Sequence, residues 1–206
     1  MTQDKFTEVK TVTDWLSWIC DTKGTEELRI KYDAWANFYE DDVDKHWRFM
    51  TVNAACALER VLPSKEASIL DAGAGTGLVG EALGKLGYTN ITAVDLSEEM
   101  LEQARKKQVY KALHQCNLED PEIFGKEETF DAIAAAGVFA YAHAGVPVLH
   151  NLFRLLKTGG FFVVTMRADY YNEMQEAIGE LPWSPIAQEQ FNIYETQAMN
   201  VLVFRK

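Results

Sequence analysis

The segment Ser68-Ile69-Leu70-Asp71-Ala72-Gly73-Ala74-Gly75-Thr76-Gly77 restricts the folds open to this chain more than any other. A short apolar run feeds a turn with glycine at every second position. A helical pattern, Leu78–Leu86, follows at once. The segment predicts a buried strand, a tight turn and a helix N-terminus. Glycines permit the turn and let a ligand approach the backbone closely, and the helix start offers free N–H groups. Dinucleotide sites use G-x-G-x-x-G, in which the third glycine lets the helix pack beneath a pyrophosphate. Here that position is Leu78, and the spacing is G-x-G-x-G preceded by Asp71. A carboxylate at the strand end suits an ammonium or sulfonium far better than a pyrophosphate. The plain alternative is a glycine turn that serves topology alone.

The rest of the chain sets this segment in an alternating pattern. Residues Val12 to Leu62 read as helical, and Pro63 ends the last helix, whose apolar face is Val52, Ala55, Cys56, Ala57 and Leu62. Short apolar runs then recur at Ser68–Leu70, Ile91–Val94, Ala112–Cys116, Phe130–Ala135 and Phe161–Thr165. Helical spacing separates them at Leu78–Leu86, Ser97–Lys107 and Val146–Leu156, with Ser97 placed as an N-cap. The connection Leu118 to Thr129 has room for only a turn of helix. This alternation predicts crossover connections and a mostly parallel sheet. Tyr170 to Leu181 reads as a last helix. Phe191–Tyr194 and Asn200–Phe204 read as strands joined by a turn, Glu195 to Met199, and strands that close must run antiparallel. The expected architecture is therefore α/β: a Rossmann-like, seven-stranded, mostly parallel sheet with one antiparallel edge strand. Helices cover both faces, and residues 1–63 form a helical N-terminal extension on a 64–206 core, in a single domain.

Composition excludes several function classes. Of 206 residues, 20 are Lys or Arg and 31 are Asp or Glu, a formal charge of −11. Proteins that neutralise phosphates usually carry the opposite sign, which argues against nucleic acid. An acidic surface favours neutral or cationic small molecules, or basic proteins. Cys20, Cys56 and Cys116 are odd in number and far apart. They form neither a disulfide framework nor a zinc ribbon, which fits a reducing compartment. Met1 to Val12 has no secretory pattern. Ala132 to Leu149, the longest weakly polar stretch, is interrupted by His143, glycines and Pro147. It is too short for a membrane helix. A soluble, cytoplasmic protein is expected.

The second strand ends Val94-Asp95-Leu96-Ser97, and an acidic residue there can accept both ribose hydroxyls of an adenosine. Asp71 and Asp95 would stand at the carboxyl ends of adjacent parallel strands, where open α/β sheets bind ligands. These residues resemble motif I and the following acidic loop of class I S-adenosylmethionine-dependent methyltransferases. Tyr32-Asp33-Ala34-Trp35-Ala36-Asn37-Phe38-Tyr39, Ile69-Leu70-Asp71 to Thr76-Gly77-Leu78-Val79 and Gly159-Gly160-Phe161 are similar to the methyltransferase-like proteins of the Williams–Beuren syndrome chromosome region. The likeness runs from about Tyr32 to Arg167.

The resemblance implies S-adenosyl-L-methionine as cofactor and S-adenosyl-L-homocysteine as product. It implies that Gly73, Gly75, Thr76 and Gly77 line the methionine moiety with Asp71 nearby, and that Asp95 binds the ribose. Leu96 and Met100 would pack near the adenine, Asn117 and Leu118 would bracket its edge, and Ala136 and Gly137 would lie near the sulfonium. Many relatives carry Asp where Asn117 stands. The stripe Tyr32, Trp35, Ala36, Tyr39 has helical spacing, which by itself points to core packing. The resemblance makes it a lid, with Tyr32 over the cofactor.

Methyl transfer from a sulfonium releases a neutral thioether, so no acid is needed, and positioning supplies most of the catalysis. A base is required only where the acceptor must lose a proton early. His143, after the fourth strand, is the candidate base, with Tyr141 and Arg167 as further candidates and a solvated loop histidine as the plain alternative. His46, His114 and His150 read as structural or exposed, and no set has metal-ligand spacing. The run Glu40-Asp41-Asp42 with Asp44 reads as a solvated helix face, and Trp183 with Pro182 and Pro185 as an aromatic loop. The leading expectation is a methyltransferase acting on a small molecule, with a protein acceptor left open. A non-catalytic cofactor-binding regulator and an NAD-dependent oxidoreductase are the alternatives.

Overall fold

The computed structural model describes residues 12–43, 45–120, 122, 127–140, 143–194 and 197–206. Four helices come first: α1 (Val12–Cys20), α2 (Thr25–Trp35), α3 (Tyr39–Asp42) and α4 (Lys45–Val61). The alternating part follows as β1 (Ile69–Ala72), α5 (Leu78–Lys85), β2 (Ile91–Asp95), α6 (Glu98–Lys106), β3 (Ala112–Gln115) and β4 (Phe130–Phe139). It closes with α7 (Val146–Leu155), β5 (Leu156–Arg167), α8 (Ala168–Glu180), β6 (Ser184–Tyr194) and β7 (Gln197–Arg205).

Among the described residues, seven strands form one sheet in the order β3-β2-β1-β4-β5-β7-β6. Strands β1 to β5 pair in parallel, and β7 runs antiparallel to both β5 and β6. The reversed strand β7 thus lies one place in from the edge strand β6. The expected mostly parallel, seven-stranded sheet is present. The final hairpin is longer than the sequence pattern suggests: β6 starts at Ser184 and β7 at Gln197, so the expected Glu195–Met199 turn is largely strand. Residues Tyr141, Asp44, 195 and 196 lie outside the described residues, as do 121 and 123–126 in the short third crossover.

Side-chain alternation along each strand decides the layers. Leu70, Ile133 and Phe162 face α7 and α8, meeting Leu149, Leu152, Met174 and Ile178. Ile69, Ala132 and Val163 face the other way, against Ala54, Leu58, Val79 and Leu83 of α4 and α5. Helices therefore cover both faces. The buried side of α4 is built from Ala54, Ala55, Ala57 and Leu58, whereas Val52, expected in that face, is 48% exposed. Small alanines let α4 approach the sheet closely, which an apolarity count does not reveal.

Trp183 stands in the connection between α8 and β6, and its partly buried ring packs against the core. Its ring stacks on Phe204 at 4.6 Å and on Phe162 at 5.2 Å, and its indole N–H donates to the Ile178 carbonyl at 2.9 Å. In the first helices, Trp15 stacks on fully buried Trp35 at 5.5 Å. Buried Lys31 keeps its charge satisfied by Glu27 at 2.9 Å and the Trp18 carbonyl at 2.6 Å.

Behind the glycine turn, α5 depends on a residue with no side chain. A Cβ at Gly80 would lie 2.2 Å from Tyr110 Cζ and Oη. Gly80→Ala is therefore expected to lower stability by about 1–3 kcal/mol, the usual cost of overpacking. Urea unfolding of the variant against the natural chain measures it.

Candidate cofactor site

The strand order reverses beside β1: β2 and β3 lie on one side, β4 and β5 on the other. Ligands of open α/β sheets settle at such a switch point, beyond the carboxyl ends of the strands. A cavity of 410 Å³ opens there. Its floor is Gly73 and Gly75 after β1, its β2 rim is Asp95 and Leu96, and its far side is Ala136, Gly137 and Val138 on β4. Met100, Cys116, Asn117, Leu118 and Glu119 line one end, and Leu28, Tyr32, Tyr39, His143 and Val148 roof the rest.

Three backbone amides stitch the floor to β2. The N–H groups of Gly73 and Ala74 donate to the Val94 carbonyl at 2.8 and 2.9 Å, and Gly75 N–H donates to Asp95 Oδ2 at 2.7 Å. Asp95 Oδ1 accepts from Ser97 N–H at 2.9 Å. The carboxylate is thus held in one orientation while its remaining lone pairs stay available. Burial pushes its pKa up to about 6, against the pull of these amides, and the Asp33 carboxylate pushes the same way. Gly75 (φ 54°) and Gly137 (φ 75°) have left-handed backbone, and a Cβ at either would meet no protein atom within 4 Å. Both stand on open space beside the cavity, as a ligand cradle requires.

Asp71, Thr76 and Gly77 do not line this cavity. Asp71 is 1% exposed and turns behind the floor, where Oδ2 accepts from Tyr110 O–H at 2.6 Å and Gly80 N–H at 3.1 Å. Its Oδ1 and the Thr76 hydroxyl are buried without partners among the described residues. The sequence places Asp71 at the strand end correctly, but not the direction its side chain takes. Ala136 and Gly137, expected after the fourth strand, lie within β4. The register slips there between Ala135 and Phe139, and Gly137 N–H bonds Thr165 Oγ1 at 2.9 Å.

The aromatic stripe divides. Trp35 and Ala36 are core, and Trp35 N–H donates to Asp42 at 2.8 Å, whereas Tyr32 and Tyr39 face the cavity. Burial raises both phenol pKa values well above the ordinary one, so both remain neutral donors. The Tyr32 hydroxyl meets His143 Nε2 at 2.7 Å, linking α2 to the segment after β4 across 111 residues. Asn117 Oδ1 accepts Glu119 N–H at 3.0 Å, using one of its lone pairs. The Cys116 thiol is pushed up to about 12 by burial and by Asp95, so it stays protonated. Arg167 pairs with Asp169 and does not line the cavity. Glu40 pairs with Lys107 at 2.9 Å and Arg48 at 3.3 Å, which binds the acidic run to the protein. Spacing alone could not expose Leu28, Cys116 or Glu119 as lining residues.

The charged groups lining the cavity, among the described residues, are the carboxylates Asp95 and Glu119, with no Lys or Arg. Such a pocket suits a cationic or neutral ligand. It carries a nucleoside-sized cavity, an adaptable apolar end at Leu96, Met100 and Leu118, and a fixed carboxylate for a diol.

Residues 70–164 match the family model described as a methyltransferase domain. With the sheet order and the switch-point cavity, this segment is a methyltransferase domain of the class I S-adenosylmethionine-dependent family, whose cofactor is S-adenosylmethionine. Methyltransferase-like protein 27 of Homo sapiens is 33% identical over 153 residues, 71% of this chain and 61% of that protein. The malonyl-(acyl-carrier protein) O-methyltransferase of Bacillus cereus is 36% identical over 106 residues, 51% of this chain and 39% of that protein. The chain therefore spans less than two thirds of the length of these relatives. A TehB-like SAM-dependent methyltransferase from Corynebacterium glutamicum superposes with a TM-score of 0.62 at 23% identity, covering 84% of this chain and 94% of that one. That likeness concerns the fold.

Burial pushes the Asp71 carboxyl up to about 7 against its hydrogen bonds from Tyr110 and Gly80. Unfolded, it would ionise near pH ~4. Between those values the folded chain holds a proton that the unfolded chain has lost, so stability falls as pH rises through the window. We expect the chain to be about 1–3 kcal/mol more stable at pH 5 than at pH 8 from this group. Asp71→Asn should flatten that slope, read from urea midpoints at the two pH values.

Proposed function

We propose that this chain is an S-adenosylmethionine-dependent methyltransferase acting on a small molecule and releasing S-adenosylhomocysteine. The observation that carries the reading is the fixed Asp95 carboxylate beside the open Gly75 cradle, in a cavity whose described lining holds no cation. Asp95 would accept the ribose hydroxyls. Leu96, Met100 and Leu118 would pack on the adenine, and Asn117 would meet its edge. Gly73, Gly75, Ala136 and Gly137 would border the methionine and sulfonium, under the ring of Tyr32, whose face attracts a cation. Asp71, Thr76 and Gly77 would act from behind, shaping the turn rather than touching the ligand.

Bound there, S-adenosylmethionine supplies an electrophilic methyl group whose departure by in-line displacement leaves a neutral thioether. The chain's own task is to orient the acceptor and exclude water, which the roof of Leu28, Tyr32 and Tyr39 does. The His143 imidazole is the candidate base at the roof, oriented by the Tyr32 hydroxyl 2.7 Å from its Nε2. It would take the proton of a hydroxyl or amine acceptor as the new bond to the methyl carbon forms. A small acceptor fits a 410 Å³ cavity that the cofactor already shares. No described helix is long and apolar enough to cross a membrane. Cys20, Cys56 and Cys116 are free thiols, in keeping with a reducing, cytoplasmic setting. We read residues 1–63 as a cap on the 64–206 core within one domain.

Calorimetric titration with S-adenosylmethionine should give saturable binding in the micromolar range. Asp95→Ala should weaken it about 30–150-fold, the loss of charge-assisted hydrogen bonds worth about 2–3 kcal/mol. Unchanged affinity would remove the ribose assignment. Incubation with methyl-labelled cofactor and a metabolite extract should place label on a small molecule; label on protein alone, or none, would overturn the acceptor class.

A further inference from the structure

Consecutive residues of α2 reach opposite rims of the cavity. Tyr32 crosses to His143 beyond β4, and Asp33 crosses to Ser97 beyond β2. The second link is a chain of polar contacts. Arg29 donates to Asp33 Oδ2 at 2.5 Å, and Ser97 O–H donates to Asp33 Oδ1 at 2.5 Å. The same Ser97 hydroxyl accepts Met100 N–H at 3.1 Å as the N-cap of α6, and Ser97 N–H donates to Asp95 Oδ1 at 2.9 Å. Ser97 is fully buried.

A hydroxyl has one proton to donate and two lone pairs to offer. At Ser97 the Met100 amide takes a lone pair, so the proton needs an acceptor, and Asp33 is the one it finds. That bond fixes the hydroxyl as a cap and holds the Ser97 backbone at the angle from which its N–H meets Asp95. Two further contacts keep α2 and its continuation on α6: Asn37 with Gln103 at 2.8 Å and Glu40 with Lys107 at 2.9 Å. The cap therefore cannot tilt without moving Ser97.

We propose that Asp33 is a positioning residue for the cofactor: through Ser97 it sets the Asp95 carboxylate against the ribose diol, so that the helical cap and the diol-binding group act as one unit. This rests on the assignment of Asp95 to the ribose made above. Asp33 does not line the cavity, and its carboxyl oxygens are both engaged by the protein.

The test compares two probes by calorimetry, S-adenosylhomocysteine and its 2′,3′-dideoxy analogue, against the natural chain, Asp33→Asn, Asp33→Ala and Ser97→Ala. Asp33→Ala should weaken S-adenosylhomocysteine about 5–30-fold but the dideoxy analogue less than about threefold, because only the diol contact is lost. Asp33→Asn keeps an acceptor for the Ser97 proton and should stay within about threefold of the natural chain for both probes. Ser97→Ala severs the same link from the other end and should repeat the selective loss, which keeps the idea exposed should Asp33→Ala not fold. Equal losses for both probes, or none, overturn the coupling while leaving the cofactor reading intact. A natural chain that binds neither probe overturns both.

Discussion

The site is organised by the grip of two backbone amides on one carboxylate. Gly75 N–H and Ser97 N–H hold the two oxygens of Asp95, at 2.7 and 2.9 Å. One amide belongs to the turn after β1, the other to the turn after β2. Parallel pairing of Ala72 with Val94 brings those turns side by side, and the Val94 carbonyl collects two more amides from Gly73 and Ala74. The glycines are required because this turn runs through left-handed backbone at Gly73, Gly75 and Gly77. Strand register, turn chemistry and carboxylate orientation are thus one constraint. A slip of one residue between β1 and β2 would separate the three hydrogen bonds that cross from the first turn to β2.

The helical cap completes what the sheet leaves open. A sheet edge can present a floor and rims, but it cannot enclose a ligand from above. Tyr32 and Tyr39 lie on the cavity side of the cap, while Trp35 and Trp15 hold the cap together behind them. The roof is therefore aromatic on both sides, with neutral hydroxyls toward the cavity and stacked indoles away from it. Its neighbours on the core, α6 at Ser97, Gln103 and Lys107, are contacted by polar side chains rather than by apolar packing. Polar contacts of this kind specify one orientation, whereas an apolar face would tolerate sliding.

What could be read from the sequence follows from distance along the chain. The glycine turn, Asp95 and the Ser97 cap are local patterns, and each stands where its motif implies. The alternation of apolar runs gave the sheet its strands because a run buried on both faces leaves a clear mark. Contacts between distant segments leave none: no pattern in Tyr32 or Asp33 names His143 or Ser97. The direction of a side chain is equally hidden. Asp71 sits at the end of β1 as expected, yet faces Tyr110, since β1 alternates its side chains and Leu70 already fills the opposite face. The buried face of α4 was read in part: Ala55 and Ala57 are in it, while Ala54 and Leu58 were left out and Val52 is exposed. The hairpin β6–β7 was read short because β6 is exposed along most of its length and carries polar residues that resemble a loop.

The position of Asp71 bears on how a buried acid can serve a site that it does not enter. Asp71 Oδ2 joins Tyr110, ahead of β3, to Gly80 in the first turns of α5. The two segments flank the glycine turn from behind, and a side chain on Gly80 would displace the Tyr110 ring. A hydrophobic residue in place of Asp71 would bury as well, but it would leave the Tyr110 hydroxyl without an acceptor in a region closed to water, a cost of about 1–3 kcal/mol. The acid thus fixes the depth of the floor from underneath, while Asp95 fixes its rim from the side. Two carboxylates that sequence alone groups as a pair divide their work, one holding the wall of the cavity in place and the other facing into it.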